Sequence, residues 1–282
     1  MTAETPKPVR RFRRTRRLLK ILACLYVGIL IVILIFEKHF IYHPSTAAEY
    51  WRSKPHGQFE DVTLSSSAGD SIHGWWLSRP NAKSAVLYSH GNGGNLSLWG
   101  PRMVDWHNAL DVSVLIYDYP GYGRSSGAPS EAGCYAAADA AWEWLIQKQN
   151  VAPEKVILAG ESLGGALAVD LASRHPYRAL VLLKPFSSIP DMAGEVFPWL
   201  PGRYLVRTQF NSFAKIKNCR GPLFLYHGER DTLIPYSQGK KLFDVAPGPK
   251  EMYTDPIGTH DTRLPGDFFV RLDAFLRANA PE

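Results

Sequence analysis

Residues 155–173 read KVILAGESLGGALAVDLAS. An apolar run of Val156, Ile157, Leu158 and Ala159 stops at Gly160, and a run of small and apolar residues at helical spacing starts at Gly164. Between them lies Gly160-Glu161-Ser162-Leu163-Gly164, a G-x-S-x-G pattern set between a strand and a helix. That setting predicts a nucleophile elbow, a turn so sharp that the serine backbone is strained and its Oγ stands clear of the sheet edge. The glycines are required because side chains at those positions would collide with the neighbouring elements.

Working outward, short β-rich runs alternate with helical ones. Residues 62–64 and 72–77 are expected to pair as opening strands. Residues 84–89, 112–117, 155–159, 179–183, 222–226 and 252–254 read as further strands, most of them apolar enough to be buried on both faces. Residues 130–149, 164–173, 237–245 and 266–278 read as helices, the first opened by Ser130 with Glu131 in its first turn. The alternation predicts an α/β fold with a mostly parallel central sheet and helices on both faces. Residues 186–217 interrupt the rhythm. They are rich in Phe, Pro and Trp without clear periodicity and are expected to form a cap-like segment, with Phe186, Phe197, Trp199 and Tyr204 as candidate substrate-pocket residues.

A serine hydroxyl is a weak nucleophile at neutral pH and needs a base, which in turn needs an orienting acid. After an elbow of this kind the expected chain order is Ser, acid, His. Three histidines follow Ser162. His175 ends the helix after the elbow, where a contact with the helix terminus is expected, and His227 ends a strand, where a structural role is expected. His260 lies in a loop between the last expected strand and the last helix, at the same sheet end as Ser162, and is the candidate base. Asp231, just past the strand at 222–226, is the candidate acid, with Asp261 and Glu229 as rivals. The oxyanion of an acyl-transfer intermediate needs backbone donors. Leu163 N–H, directly after the nucleophile, and Asn92 N–H, in the glycine-rich loop His90-Gly91-Asn92-Gly93-Gly94-Asn95, are the candidates. That loop lacks the Lys-Ser/Thr of a phosphate-binding loop and the G-x-G-x-x-G spacing of a dinucleotide site. The mechanism requires no metal and no organic cofactor. Serine rather than aspartate at the elbow argues against dehalogenase or epoxide-hydrolase chemistry.

The 282 residues carry 32 Lys+Arg against 26 Asp+Glu, a net charge of +6. Eight of the positives (Lys7, Arg10, Arg11, Arg13, Arg14, Arg16, Arg17 and Lys20) and one acid, Glu4, fall in residues 1–20, so the remainder holds 24 basic and 25 acidic residues. The body has no basic excess with which to bind nucleic acid. Residues 21–36 are uncharged and span about 24 Å as a helix, close to a hydrocarbon core of roughly 30 Å. The chain therefore divides into a basic head at 1–17, a transmembrane anchor at 18–40 and a catalytic domain at 41–282. The positive-inside rule places the amino terminus in the cytoplasm and the catalytic domain on the other side. A cleaved signal peptide, with Ser45-Thr46-Ala47 as the nearest small-residue site, a twin-arginine export signal and a buried core helix are the rival readings. Cys134 and Cys219 are compatible with pairing or with two free thiols.

With these motifs in view, residues 42–280 resemble the α/β-hydrolase superfamily. The chain is most similar to single-span, membrane-anchored serine hydrolases with an HGNxGN oxyanion motif, here at residues 90–95, a branch that includes eukaryotic protein depalmitoylases and many bacterial hydrolases of unassigned substrate. Phe40-Ile41-Tyr42-His43-Pro44, Asp118-Tyr119-x-Gly121-Tyr122-Gly123-x-Ser125, Pro185-Phe186-Ser187-Ser188, His227-Gly228-x-x-Asp231 and Gly258-x-His260 carry the rest of the resemblance. It implies Ser162, Asp231 and His260 as a triad. Pro120 stands where such relatives often have Arg, and Lys184 where an acid is common, which is expected to alter the charge on the substrate side. The expected activity is hydrolysis of a carboxylic ester, with thioester and amide as further bond types, on an acyl-ester or lipid-like small molecule. Acyl transfer to another acceptor and a non-catalytic membrane-anchored scaffold are the alternatives. The sequence does not set the oligomeric state.

Overall fold

The computed structural model describes residues 9–55, 57 and 59–280. The part of the basic head at residues 1–8, including Lys7, lies outside them. The chain divides after Ile41 into two units.

The first unit holds α1 (Val9–Ile35) and α2 (Glu37–Ile41). The helix starts nine residues before the anchor expected from residue 18, because arginine is a good helix former and does not interrupt it. Residues 15–35 form a candidate membrane span of 21 residues, with an 18-residue window of mean hydropathy 2.9. At helical rise that is about 32 Å, enough for a bilayer core of roughly 30 Å. Its apolar side chains, among them Leu22, Leu25, Val32 and Ile35, are exposed.

The second unit is built on eight strands: β1 (Phe59–Ser65), β2 (Ser71–Leu77), β3 (Ala85–Ser89), β4 (Ser113–Tyr117), β5 (Val156–Glu161), β6 (Ala179–Leu183), β7 (Leu223–Gly228) and β8 (Lys250–Asp255). Their order in the sheet is β1-β2-β4-β3-β5-β6-β7-β8. β1 and β2 join antiparallel, β2 joins β4 antiparallel, and every later pairing is parallel. β3, β4, β5, β6 and β7 are buried along their whole length, as apolar runs covered on both faces must be.

The covering helices are α3 (Leu96–Leu110), α4 (Glu131–Gln147), α5 (Leu163–Arg174), α9 (Tyr236–Val245) and α10 (Phe268–Asn279). α3 packs with α10, with Trp106 edge-on to Phe269 at 5.5 Å between ring centres. α4 packs with α5 and on the sheet, and Ala137, Ala138, Ala140 and Ala141 are among its buried residues. α3 is not among the helices expected from the sequence, and it carries Pro101 inside it. The helix forms regardless: Asn95 caps it by accepting from Ser97 N–H at 3.1 Å, and the Asp118 carboxylate accepts from Leu96 N–H at 2.7 Å.

The excursion at 186–217 is more regular than its sequence suggested. It contains α6 (Ile189–Val196), α7 (Gly202–Leu205) and α8 (Ser212–Lys215). Glu131, in the first turn of α4, ties it down by accepting from Gln209 N–H and Phe210 N–H, both at 2.7 Å. Cys134 and Cys219 are free and buried, which decides the question of their pairing, and Cys24 is free and exposed.

Candidate active site

Parallel strands deliver their carboxyl ends to one side of the sheet, and the candidate residues gather there. Ser162 follows β5 and precedes α5 with φ 51° and ψ −115°, a strained backbone for a residue bearing a side chain. Its hydroxyl is not spent on capping the helix. The glycines around it sit where no Cβ fits. A Cβ on Gly160 would lie 2.3 Å from Gly164 O, and one on Gly164 would lie 2.0 Å from Ser89 O and 2.6 Å from His90 O. The elbow is therefore pressed against the end of β3, where the loop bearing Asn92 begins. Leu163 is the first residue of α5, so its N–H is one of the donors a helix N-terminus leaves without an intrahelical partner.

Asp231 lies just past β7 and is buried. Its Oδ2 accepts from His260 Nδ1 at 2.8 Å, and its Oδ1 accepts from Leu233 N–H at 3.0 Å and Ile234 N–H at 2.8 Å. Burial opposes ionisation of this carboxyl, but the bonds from His227, His260 and the Ile234 backbone outweigh it and hold Asp231 well below the usual carboxylate range. The bond through Nδ1 makes Nε2 the imidazole nitrogen available for proton transfer. The rivals Asp261 and Glu229 are both exposed. His227 donates from Nε2 to Ile234 O at 2.9 Å, which holds the Asp231 loop in shape, and His175 stacks on Trp142 at 4.7 Å.

The loop at 90–95 is held from several sides. Tyr119 OH donates to His90 O at 2.5 Å, and the His90 ring stacks on Tyr119 at 4.3 Å. The Asn92 side chain is engaged through Oδ1 by His43 N–H and Tyr122 OH. The four candidate pocket residues separate. Phe186 is buried at 5 % exposure, whereas Phe197, Trp199 and Tyr204 are 48 %, 66 % and 81 % exposed. Tyr204 carries Arg203 over its ring at 5.6 Å. Leu233 and Ile257, in the loops that carry Asp231 and His260, are also exposed apolar residues.

Lys184 corrects one expectation. It was read as altering the charge on the substrate side, but its side chain is wholly buried. Its ammonium donates to His260 O and, at 2.9 Å, to Thr262 O, and it lies 3.8 Å from Glu161 Oε1. Burial pushes the ammonium pKa down while Glu161 pulls it up, the net shift being downward. Glu161 also accepts from Tyr88 OH at 2.7 Å and Arg102 at 2.5 Å. The sequence showed an unusual lysine but not where it pointed, because its partners lie 76 and 78 positions away.

Comparison with known proteins agrees with this architecture. Residues 86–280 match the model of the alpha/beta hydrolase family. An uncharacterized protein of Mycobacterium tuberculosis is 35 % identical over 260 residues, covering 91 % of this chain and 92 % of its own. Alpha/beta hydrolase domain-containing protein 17B of Homo sapiens is 34 % identical over 198 residues, covering 70 % of this chain and 67 % of its own. Among solved structures, the Pyrococcus furiosus esterase Pf2001 superposes with a TM-score of 0.69 at 17 % identity, covering 84 % of this chain and 99 % of that one. With the sheet order, the serine turn and the family match in agreement, the chain belongs to the alpha/beta hydrolase family.

Proposed function

We propose that the chain is a serine hydrolase that cleaves carboxylic esters through an acyl-enzyme. The observation that carries the reading is the 2.8 Å bond between His260 Nδ1 and Asp231 Oδ2, formed at the same sheet end as the strained Ser162 turn. Ser162 Oγ attacks the acyl carbon while His260 Nε2 takes its proton. Asp231 fixes the tautomer and stabilises the imidazolium. The N–H groups of Leu163 and Asn92 hold the oxyanion, with the N-terminus of α5 adding its dipole. The imidazolium then protonates the leaving alcohol. Water, activated by the same imidazole, releases the acid and regenerates Ser162. Esterases among the fold neighbours, Pf2001 and an acetyl xylan esterase from Thermoanaerobacterium, support the bond type.

The exposed Phe197, Trp199, Leu233 and Ile257 favour an apolar acyl or leaving group, including lipid-like esters. The span at 15–35 with its basic head favours a membrane-anchored protein with a cytoplasmic amino terminus and a translocated catalytic domain. A fluorophosphonate probe is expected to label the wild type and not Ser162→Ala, and labelling of that variant rejects the assignment. A reporter fused to the carboxyl terminus tests the topology: signal from the cytoplasm rejects it.

A further inference from the structure

The chain that follows the candidate span does not run past the hydrolase unit as a loose tether. Residues 43–47 are stitched to two active-side loops through the parallel bridges Pro44↔Gly94 and Thr46↔Gly123. Gly94 N–H donates to His43 O at 3.1 Å, and Ser45 N–H donates to Gly94 O at 2.9 Å. Gly123 N–H then donates to Ser45 O at 3.0 Å, and Ala47 N–H to Gly123 O at 2.7 Å. Asn95 Nδ2 adds a bond to Ser45 O at 3.0 Å. Tyr42, at the start of the segment, is buried with its ring 6.3 Å from that of Phe210.

One of these contacts reaches a residue with a proposed chemical role. His43 N–H donates to Asn92 Oδ1 at 3.1 Å, and Tyr122 OH donates to the same oxygen at 2.7 Å. The loop needs such a grip. Gly93 and Gly94 are consecutive left-handed residues at φ 96° and 70°, and no atom lies within 4 Å of where a Cβ on Gly93 would stand. Two glycines in sequence are the most freely rotating stretch a backbone offers. An oxyanion donor works only if it is fixed before the charge develops.

We infer that residues 43–47 are a positioning element of the oxyanion loop, setting the Asn92 N–H through its own side chain, so that the post-span segment is required for turnover. This rests on the serine-hydrolase reading. It also gives the small-residue stretch Ser45-Thr46-Ala47 a definite meaning: cleavage there would unpick the bridged segment that braces Asn92 and leave a folded body with a slack oxyanion loop.

Two variants of the full-length protein test this by independent routes. His43→Pro removes the N–H that reaches Asn92 Oδ1 and keeps the carbonyl that receives Gly94 N–H. Tyr122→Phe removes the other donor to the same oxygen. Turnover of p-nitrophenyl butyrate is measured together with inhibition by benzeneboronic acid, whose tetrahedral adduct on Ser162 places an oxygen in the hole. The expected result for each is a kcat about 10- to 100-fold lower, an unchanged KM and a matching loss of boronate affinity, with the thermal midpoint retained. Wild-type kcat and boronate affinity in Tyr122→Phe overturn the inference, and they do so whether or not His43→Pro folds. So does an equal loss of affinity for substrate and boronate. Labelling of Ser162→Ala by fluorophosphonate would instead reject the underlying hydrolase reading, so the two failures are distinguishable.

Discussion

The buried ammonium of Lys184 donates to the main-chain carbonyl of His260. The proposed base is thus gripped at two points, by Asp231 on its ring and by Lys184 on its backbone. Lys184 itself stands at φ 50°, an uncommon backbone state for a long side chain, directly after β6, whose neighbour β5 leads into Ser162. Replacing it with methionine removes the grip and the cost of burying a charge together, while Glu161 keeps Tyr88 and Arg102 as partners. Lys184→Met is expected to lower kcat about 10- to 100-fold with KM nearly unchanged and the fold retained. Steady-state kinetics with a thermal melt check this; wild-type kcat refutes it.

Asp231→Asn tests the acid. The amide oxygen can still accept from Leu233 and Ile234 N–H, so the loop is expected to hold its shape. What is lost is the charge that orients His260 and stabilises its protonated form. The expected fall in kcat is about 10⁴-fold, with a parallel slowing of fluorophosphonate labelling.

Gly164→Ala would place its Cβ 2.0 Å from Ser89 O, a backbone atom that cannot swing aside. The expected cost is about 3 kcal/mol or more, read as a lower denaturant midpoint, with loss of labelling at Ser162. Gly266→Ala, where nothing lies within 4 Å, should leave both unchanged.

Alkaline unfolding should be steep. Burial raises the phenols of Tyr88, Tyr117, Tyr119 and Tyr122, brings Tyr253 to about 12, and brings the thiols of Cys134 and Cys219 to about 12. Groups whose folded pKa is raised hold protons that the unfolded chain releases near pH 9–10. Their contribution to stability is complete below that range and is lost as pH rises toward 12 and beyond. Phenolate absorbance and near-UV circular dichroism should therefore change in one transition; phenolate signal from these buried rings well before loss of dichroism counts against it.

Much of this molecule could be read from local sequence. The strand–turn–helix around Ser162 was legible because glycine spacing and apolar periodicity are local signals, and the same holds for the short, mostly apolar runs of β3, β4 and β6. α3 was not, because its cap comes partly from Asp118, 22 positions beyond Leu96, a partner no local pattern shows. The separation of buried Phe186 from exposed Tyr204 was equally hidden, since neither aromatic content nor spacing says which ring faces inward. The brace from His43 to Asn92 spans 49 positions and its donor is a main-chain N–H, so the identity of residue 43 carries no trace of it.

The three cysteines differ sharply in their chemistry. Cys134 and Cys219 are buried thiols held protonated to about pH 12, and a protonated thiol is a poor nucleophile. Cys24 lies in the candidate span, in the first turn of its uncharged stretch, where a bilayer would shield it from aqueous reagents. A water-soluble maleimide offered to the native wild-type chain should therefore leave Cys134 and Cys219 unmarked until the hydrolase unit opens. The time course of their labelling in rising denaturant would then report the opening of that unit, without a single engineered substitution.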